Sequence, residues 1–365
     1  MRTILVLANF SAGLYDFRNE MLERLLEEYD VFVSVPDEVK TAELENEGCR
    51  IINIPLDRRG MNVKEDLNLL FSYIKLLKNV KPDLVMTYTV KPNIYGGIAC
   101  RIQGIPYIAT ITGLGSTFQK EGMLKRLVIH MYRVGLKKAK RVFFQNKENH
   151  EIFTNYKITN SQARLVNGSG VNLSKHRFEE YPKEKAVRLL FIGRIMKEKG
   201  IEEFLEAANA LHDENIIFET VGFCEENYQE KLNDYENSGI IKQYGFQTMV
   251  HEYIKAASAV VLPTYHEGMS NVLMEASATG RPVIASNISG CKEIFEEGVT
   301  GFGCEPQSSS DLIRAIKEFL SLSVEERERM GKNARAKMER EFDRNKVVGV
   351  YIKEINKVLE NYKGE

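Results

Sequence analysis

Short apolar runs of strand length alternate with stretches of helical periodicity along most of the chain. Residues 4–8 are apolar throughout, as expected of a strand covered on both faces. A loop with Ser11, Ala12 and Gly13 follows, then a helix over 18–28 and strands at 31–35 and 50–55. The spacing predicts a helix over 64–79, a strand at 83–87 after the Lys81-Pro82 turn, a helix over 93–103 and a strand at 106–111. A long basic helix leads to a strand at 142–145, and 163–166 runs into a Gly-Ser-Gly turn. The stretch 174–186 is polar, carries Pro182 and has no periodicity. Beyond it the alternation restarts. Strands are expected at 188–193, 216–221, 240–244, 260–262 and 282–285, with helices at 201–211, 228–237, from Ser270, and near 292–297. The tail from Ser323 reads as helical, with an amphipathic segment over 347–362.

Strand–helix alternation of this kind predicts parallel sheets wrapped by helices. At 365 residues the chain exceeds one ordinary core. The fold expected is α/β, with two Rossmann-like, doubly wound domains. The first spans 1–175, a linker 176–186, the second 187–345, and the helix 346–365 packs back on the first. Ligands in such sheets bind beyond the carboxyl ends of the strands, so two facing domains would share a cleft.

Composition narrows the class. With 43% hydrophobic and 28% charged residues the chain is globular. A net charge of −1 gives no global field toward nucleic acid or membrane, so any such contact must be local. Five scattered cysteines, none in a Cys-x2-Cys, fit reduced thiols rather than disulfides or zinc. No apolar run is long enough to cross a bilayer, and the opening apolar run is too short for a secretory signal.

Chemistry concentrates in VLPTYHEGMSNVLMEASATGRPVIA, 261–285. Glu267 sits in a loop and Glu275 inside the helix after it. Ser270 is a good N-cap, and Gly268 permits close backbone approach. A helix N-terminus suits an anionic ligand. Upstream, LLFIGRIMKEKG ends a strand at Gly193 and sets Arg194 and Lys199 beside another helix start, a good receptor for a diphosphate. Taken alone, all four are also ordinary surface charges. No Asp-x-Asp occurs, so fixed cations rather than a metal are expected to offset phosphate charge.

The order FIGRIMKEKG, VGFCEENYQEKL, then YGFQTMVHEYIKAASAVVLPTYHEGMSNVLMEASATGRPVIASNISGCKEIFEEGVTGF resembles glycosyltransferase family 4, retaining enzymes of the two-domain GT-B fold that use nucleotide sugars. In the first half, SAGLYDFRNEML, KPDLVMTYTVKPNIYGGIACRIQGIP and ITGLGSTF resemble bacterial members that extend glycans on undecaprenyl diphosphate. The resemblance implies that Arg194 and Lys199 bind the donor diphosphate, that Glu275 accepts from the ribose hydroxyls, and that Glu267 faces the reacting sugar. It also implies that the backbone of Gly268, Met269, Ser270 and Asn271 meets the sugar or phosphate. Gly13 would open a turn toward the phosphate, and the loop with Gly245, Phe246 and Gln247 would hold the base, most often uracil. Arg18, Lys91, Thr112 and Gly113 are candidates for contact with acceptor or donor sugar. Where relatives often carry a histidine after strand 106–111, this chain has Thr112, so a histidine-based mechanism is not expected. Where many have Gly-x-Gly, it has Gly222-Phe223-Cys224.

Taken as a whole, the resemblance implies a retaining hexosyltransferase that needs no cofactor or metal. It would move a hexose or N-acetylhexosamine from a donor, UDP-linked in the commonest case, to a lipid-linked glycan. The alternatives are a nucleotide-sugar epimerase of similar fold and a catalytically silent scaffold. The intact set of Arg194, Lys199, Glu267 and Glu275 argues against the scaffold. The segment 118–141 has eight Lys/Arg against Glu121. On a helix Arg126, His130, Arg133, Lys137 and Lys140 form one stripe, with Leu124, Leu127, Val128 and Met131 opposite. The expectation is an apolar face toward the sheet and a basic face, including Lys125, toward an anionic lipid surface. The enzyme would be cytoplasmic and peripheral on the inner membrane face, with nucleic acid excluded as a partner.

Overall fold

The computed structural model describes residues 1–58, 60, 62–114, 118, 122–159, 162–213 and 215–362. The chain forms two units, Met1–Ser169 with Asn345–Glu365, and Gly170–Arg344. The polar stretch 174–186 therefore belongs to the second unit.

In the first unit the elements are β1 (Arg2–Leu7), α1 (Ser11–Leu26), β2 (Tyr29–Val35), α2 (Thr41–Asn46), β3 (Arg50–Asn53), α3 (Val63–Val80), β4 (Leu84–Tyr88), a π-helical turn (Pro92–Gly96), α4 (Gly97–Gln103), β5 (Tyr107–Ile111), α5 (Met123–Leu136), β6 (Arg141–Phe144), α6 (Lys147–Asn155) and β7 (Ala163–Leu165). All strands are parallel, in the order β3-β2-β1-β4-β5-β6-β7. The apolar run of β1 explains its central place. Ile4 and Val6 pack into the core on one face, while Leu5 and Leu7 pack into the core on the other. The first of these cores is completed from far along the chain by Val347, Tyr351, Ile355 and Leu359 of the last helix, Arg344–Asn361. The second is covered by α3, α4 and α5 through Tyr73, Ala99 and Tyr132.

The second unit contains β8 (Val187–Ile192), a 3-10 turn (Lys197–Lys199), α7 (Ile201–Leu211), β9 (Ile216–Val221), α8 (Gln229–Asn237), β10 (Ile241–Gln243), α9 (Val250–Ala256), β11 (Ala259–Leu262), α10 (Asn271–Ala278), β12 (Val283–Ser286), β13 (Gly301–Cys304), α11 (Ser309–Ser321) and α12 (Val324–Lys337). The final helix is α13. The parallel sheet runs β10-β9-β8-β11-β12-β13. In each sheet the strand order reverses once, between β1 and β4 and between β8 and β11. That is the switch point at which doubly wound sheets leave a ligand crevice.

Three expectations are corrected. Residues 292–297 form no helix but a turn at 292–294 and an isolated bridge from Glu297 to Gly301, and the strand β13 and helix α11 come after them instead. The helix expected over 93–103 opens as a π turn. There Asn93 is buried and donates to Thr110 O (2.9 Å) while accepting from Thr87 Oγ1 (2.6 Å), so its amide serves the sheet. On α5 the face toward the sheet is Ile129, Tyr132, Gly135 and Leu136, whereas Leu124 and Leu127 are exposed. The helix is rotated from the expected placement because Tyr132 and Leu136 carry more apolar surface into the core. Glu121, and Gly115 of the segment after β5, lie outside the described residues.

Candidate active site

The site in the second unit is assembled at the carboxyl ends of β8 and β11. Lys199 ends the 3-10 turn after β8, and Glu267 lies in the loop after β11. Their side chains meet at 2.5 Å, both largely shielded from water. A tight junction between the two loops holds the pair. Thr264 Oγ1 and the Tyr265 N–H both donate to Glu198 O (3.2 and 2.9 Å). Gly200 has φ 77°, and a Cβ there would lie 2.0 Å from Pro263 O, so only glycine lets the loops come this close. Below them Tyr265 donates to Glu203 (2.7 Å); burial, then that hydrogen bond, pushes its hydroxyl well above the usual tyrosine range. The buried Cys291 thiol is raised by burial and then by Glu267.

Arg194, directly after Gly193, does not join the Lys199–Glu267 pair but is ion-paired with Glu225, and its side chain is 43% exposed. Its loop is fixed from below. The Gly193 N–H donates to Val221 O (3.0 Å), and a Cβ on Gly222 would lie 1.7 Å from Gly193 O. One glycine at that point therefore suffices for the close approach of the two loops. Phe223 and Phe246 stand exposed with ring centroids 6.2 Å apart. Gln247 turns its amide back to Tyr244 O (2.7 Å).

Ser270 caps α10 as expected, accepting from Leu273 N. Its own N–H, however, donates to Gly290 O (2.9 Å), so that group is already satisfied within the unit and is not free for a ligand. Met269 is buried. Glu275, on α10, lies 3.8 Å from the Nε2 of His176. His176 is 5% exposed, and burial, then Lys175, His251 and Arg344, lowers its pKa to about 3, so it is neutral. Periodicity gave no sign of this residue, because it stands in a stretch with none. Arg281 was equally hidden. It is fully buried and donates to the carbonyls of Glu179 (2.9 Å), Glu180 (2.8 Å) and Lys255 (2.7 Å), tying the irregular stretch to α9 and to the turn that leads into β12.

In the first unit Gly13 lies inside the first turn of α1 rather than in a loop, because the helix begins at Ser11. Asp37, after β2, accepts from the Ser11 N–H (2.9 Å) and from its hydroxyl, so a carboxylate already complements that helix end. Arg18 is buried over the rings of Tyr88 and Tyr351 (5.3 and 5.9 Å). Gln145 links it to the end of β5: its amide oxygen accepts from Arg18 Nη2 (2.7 Å) and its nitrogen donates to Thr112 O (3.2 Å). Thr112 and Gly113 are partly exposed beside this link. Lys91 pairs with Asp66 at 2.7 Å on the rim of a cavity of about 500 Å³ that also includes Asp57, Glu65 and Ser72. On α5, Arg126 and Lys137 are exposed, Arg133 donates to Tyr156 O, and Lys125 lies over the Tyr156 ring. Among the described residues no group of histidine, cysteine and carboxylate side chains is arranged to hold a metal ion, and no helix is long and apolar enough to cross a membrane.

Comparison with known proteins agrees with this geometry. Residues 172–337 match the family described as glycosyl transferases group 1, and residues 3–146 match glycosyl transferase 4-like. The chain is 30% identical to the N,N'-diacetylbacillosaminyl-diphospho-undecaprenol alpha-1,3-N-acetylgalactosaminyltransferase of Campylobacter jejuni, over 97% of this chain and 98% of that protein. It is 26% identical to the UDP-Gal:alpha-D-GlcNAc-diphosphoundecaprenol alpha-1,3-galactosyltransferase of Escherichia coli, over 92% and 89%. Among solved structures, HepE of Anabaena in complex with UDP and glucose superposes with a TM-score of 0.81 at 16% identity, over 98% and 100%. Sucrose-phosphate synthase of Thermosynechococcus elongatus gives 0.81 at 18%, over 99% and 100%. These structures share the GT-B fold. Matches to both halves, together with a relative alike over nearly its whole length, place the chain in the family of group 1, family 4-like glycosyl transferases.

Proposed function

We propose that the protein transfers a sugar, with retention at the anomeric carbon, from a UDP-linked donor to a glycan carried on a lipid diphosphate. The observation that carries the reading is the Lys199–Glu267 pair at the β8/β11 switch point. A lysine held by one carboxylate in a shielded crevice can exchange that partner for a diphosphate with no further desolvation of its ammonium group. The names of the relatives support the substrates, since both act on diphospho-undecaprenol acceptors and one takes UDP-Gal.

In the reaction the bond from the anomeric carbon to the diphosphate oxygen breaks and the bond to the acceptor oxygen forms on the same face. The acceptor proton passes to the departing phosphate oxygen, so no histidine base is required and Thr112 is tolerated. Lys199 and Arg194 stabilise charge as it develops on the leaving group, and fixed cations rather than a resident metal carry that task. Glu267, released from Lys199, faces the sugar, and Glu275 accepts from the ribose. Arg126 and Lys137 of α5, beside exposed Leu127, face an anionic bilayer in which the acceptor is anchored.

A screen of nucleotide sugars for donor hydrolysis, then for transfer to lipid-linked acceptors, tests the reading. Glu267→Ala should abolish transfer with the fold intact. Lys199→Ala should weaken UDP binding by about tenfold or more in calorimetry, the worth of a charge-assisted contact. Near-normal turnover in the first, or unchanged affinity in the second, overturns the assignment.

A further inference from the structure

The helix α3 presents a solvent face that the transfer reaction does not use. At about 3.6 residues per turn, Val63, Leu67 and Phe71 fall in one stripe with Lys64, Lys75 and Lys78 around it. The three apolar residues are 72%, 48% and 65% exposed, and all three lysines are exposed. None of these lysines makes an ion pair among the described residues. The two acids of the helix, Glu65 and Asp66, lie off this stripe on the flank that lines the cavity with Lys91. Inward, Leu69, Tyr73, Leu76 and Leu77 are buried. The helix is thus apolar on two sides, once toward the core and once toward solvent between cations.

The same composition recurs on α5, where Met123, Leu124 and Leu127 are 87%, 39% and 55% exposed beside Arg126 and Lys137. Both helices cover the same face of the first sheet. Each comes after a parallel strand and runs back against it, so the first turn of each stands at the carboxyl-end rim of the sheet. Val63 and Leu67 therefore share a rim with Met123 and Leu127.

We propose that the outer face of α3 is a second lipid-inserting surface, whose partner is an anionic bilayer. The proposal rests on the reading of α5 as a membrane contact and adds an independent point of attachment. Charge decides between occupants. A two-fold dimer through α3 would set a stripe with three lysines and no acid against a copy of itself, which like-charge contact disfavours. Anionic head groups match the lysines, and acyl chains match Val63, Leu67 and Phe71. One helix allows the protein to roll about its axis on the surface. Two helices define a plane and turn the rim toward the lipid from which a diphosphate head group projects.

The chain has no tryptophan, so a single one reports cleanly. Phe71→Trp and Leu127→Trp are made separately in the full chain and titrated with phosphatidylglycerol-rich vesicles, with and without brominated acyl chains. Both positions are exposed, and circular dichroism checks the fold. The expected result is a blue shift and bromine quenching at both positions. K64Q/K75Q/K78Q should lower partition roughly a hundredfold, since each lysine near such a surface contributes a factor of about five. A response at Leu127→Trp with none at Phe71→Trp overturns the proposal and leaves the α5 contact standing. Silence at both overturns both. Light scattering that shows a dimer lost in L67Q/F71Q, without vesicle binding, also overturns it and assigns the stripe to self-association.

Discussion

Replacing His176 by glutamine should flatten the acid side of the second unit's stability. The imidazole is 5% exposed and is faced by Glu275, Lys175, His251 and Arg344, and its folded pKa is about 3 against 6.5 for an unperturbed histidine. Below pH 6.5 the unfolded chain binds a proton that the folded chain refuses until about pH 3. Stability therefore falls as pH falls through that window, by about 1.4 kcal/mol per unit once the unfolded imidazole is charged. Between pH 7 and pH 5 the loss from this one group comes to about 2 kcal/mol. Glutamine fills similar space and does not titrate in this range, so the variant should lack that slope whatever its stability at pH 7. Hydrogen exchange of the α10 amides, corrected for intrinsic rates, reads the opening free energy of this unit at each pH. Wild type and variant that fall in parallel, within about 0.5 kcal/mol over the two units, would refute the assignment of a buried neutral imidazole.

Other variants probe the remaining geometry. Glu225→Gln removes the carboxylate that holds Arg194, and UDP affinity should rise by up to about fivefold, the worth of a half-exposed pair; unchanged or weaker binding in calorimetry rejects competition for Arg194. Arg281→Ala strands the carbonyls of Glu179, Glu180 and Lys255 and should cost about 3–5 kcal/mol, visible as a lowered thermal midpoint; a loss under about 1 kcal/mol shows that the stretch is held otherwise. Gly200→Ala forces a Cβ onto Pro263 O at a positive φ and should cost at least about 2 kcal/mol and weaken UDP binding together, because Lys199 is the adjacent residue; intact binding separates the two loops functionally.

How far the sequence revealed the molecule differs from part to part. The strand at β1 was plain, because four consecutive apolar residues suit a segment buried on both faces. Ser270 announced α10 through its own chemistry as a cap. Lys199 and Glu267, 68 positions apart, came into view through motifs whose strand and helix context could be read locally. Contacts made only in three dimensions were not legible. Nothing local marks His176 as buried or Arg281 as a clamp on three carbonyls. Hydrophobic spacing on α5 offered two apolar faces, and only the volume available beside the sheet selected Tyr132 and Leu136 over Leu124 and Leu127. At 292–297 a helical pattern failed because Gly290 and Gly298, both at positive φ, close turns on either side.

The return of α13 to the first core has a consequence for synthesis. Tyr351, Ile355 and Leu359 complete a core whose other members come from α1, α2 and the strands β1, β2, β4, β5 and β6. During translation the first unit therefore waits with one sheet face only partly covered, by α1 and α2, while the whole of 170–344 is made. The second unit, continuous in sequence, needs nothing from beyond residue 344 and is free to finish first, the reverse of the usual order in which amino-terminal domains fold ahead of later ones. A nascent chain arrested before residue 345 would present the patch around Thr110 of β5 and Phe143 of β6, which Tyr351 otherwise covers, to the chaperones around it.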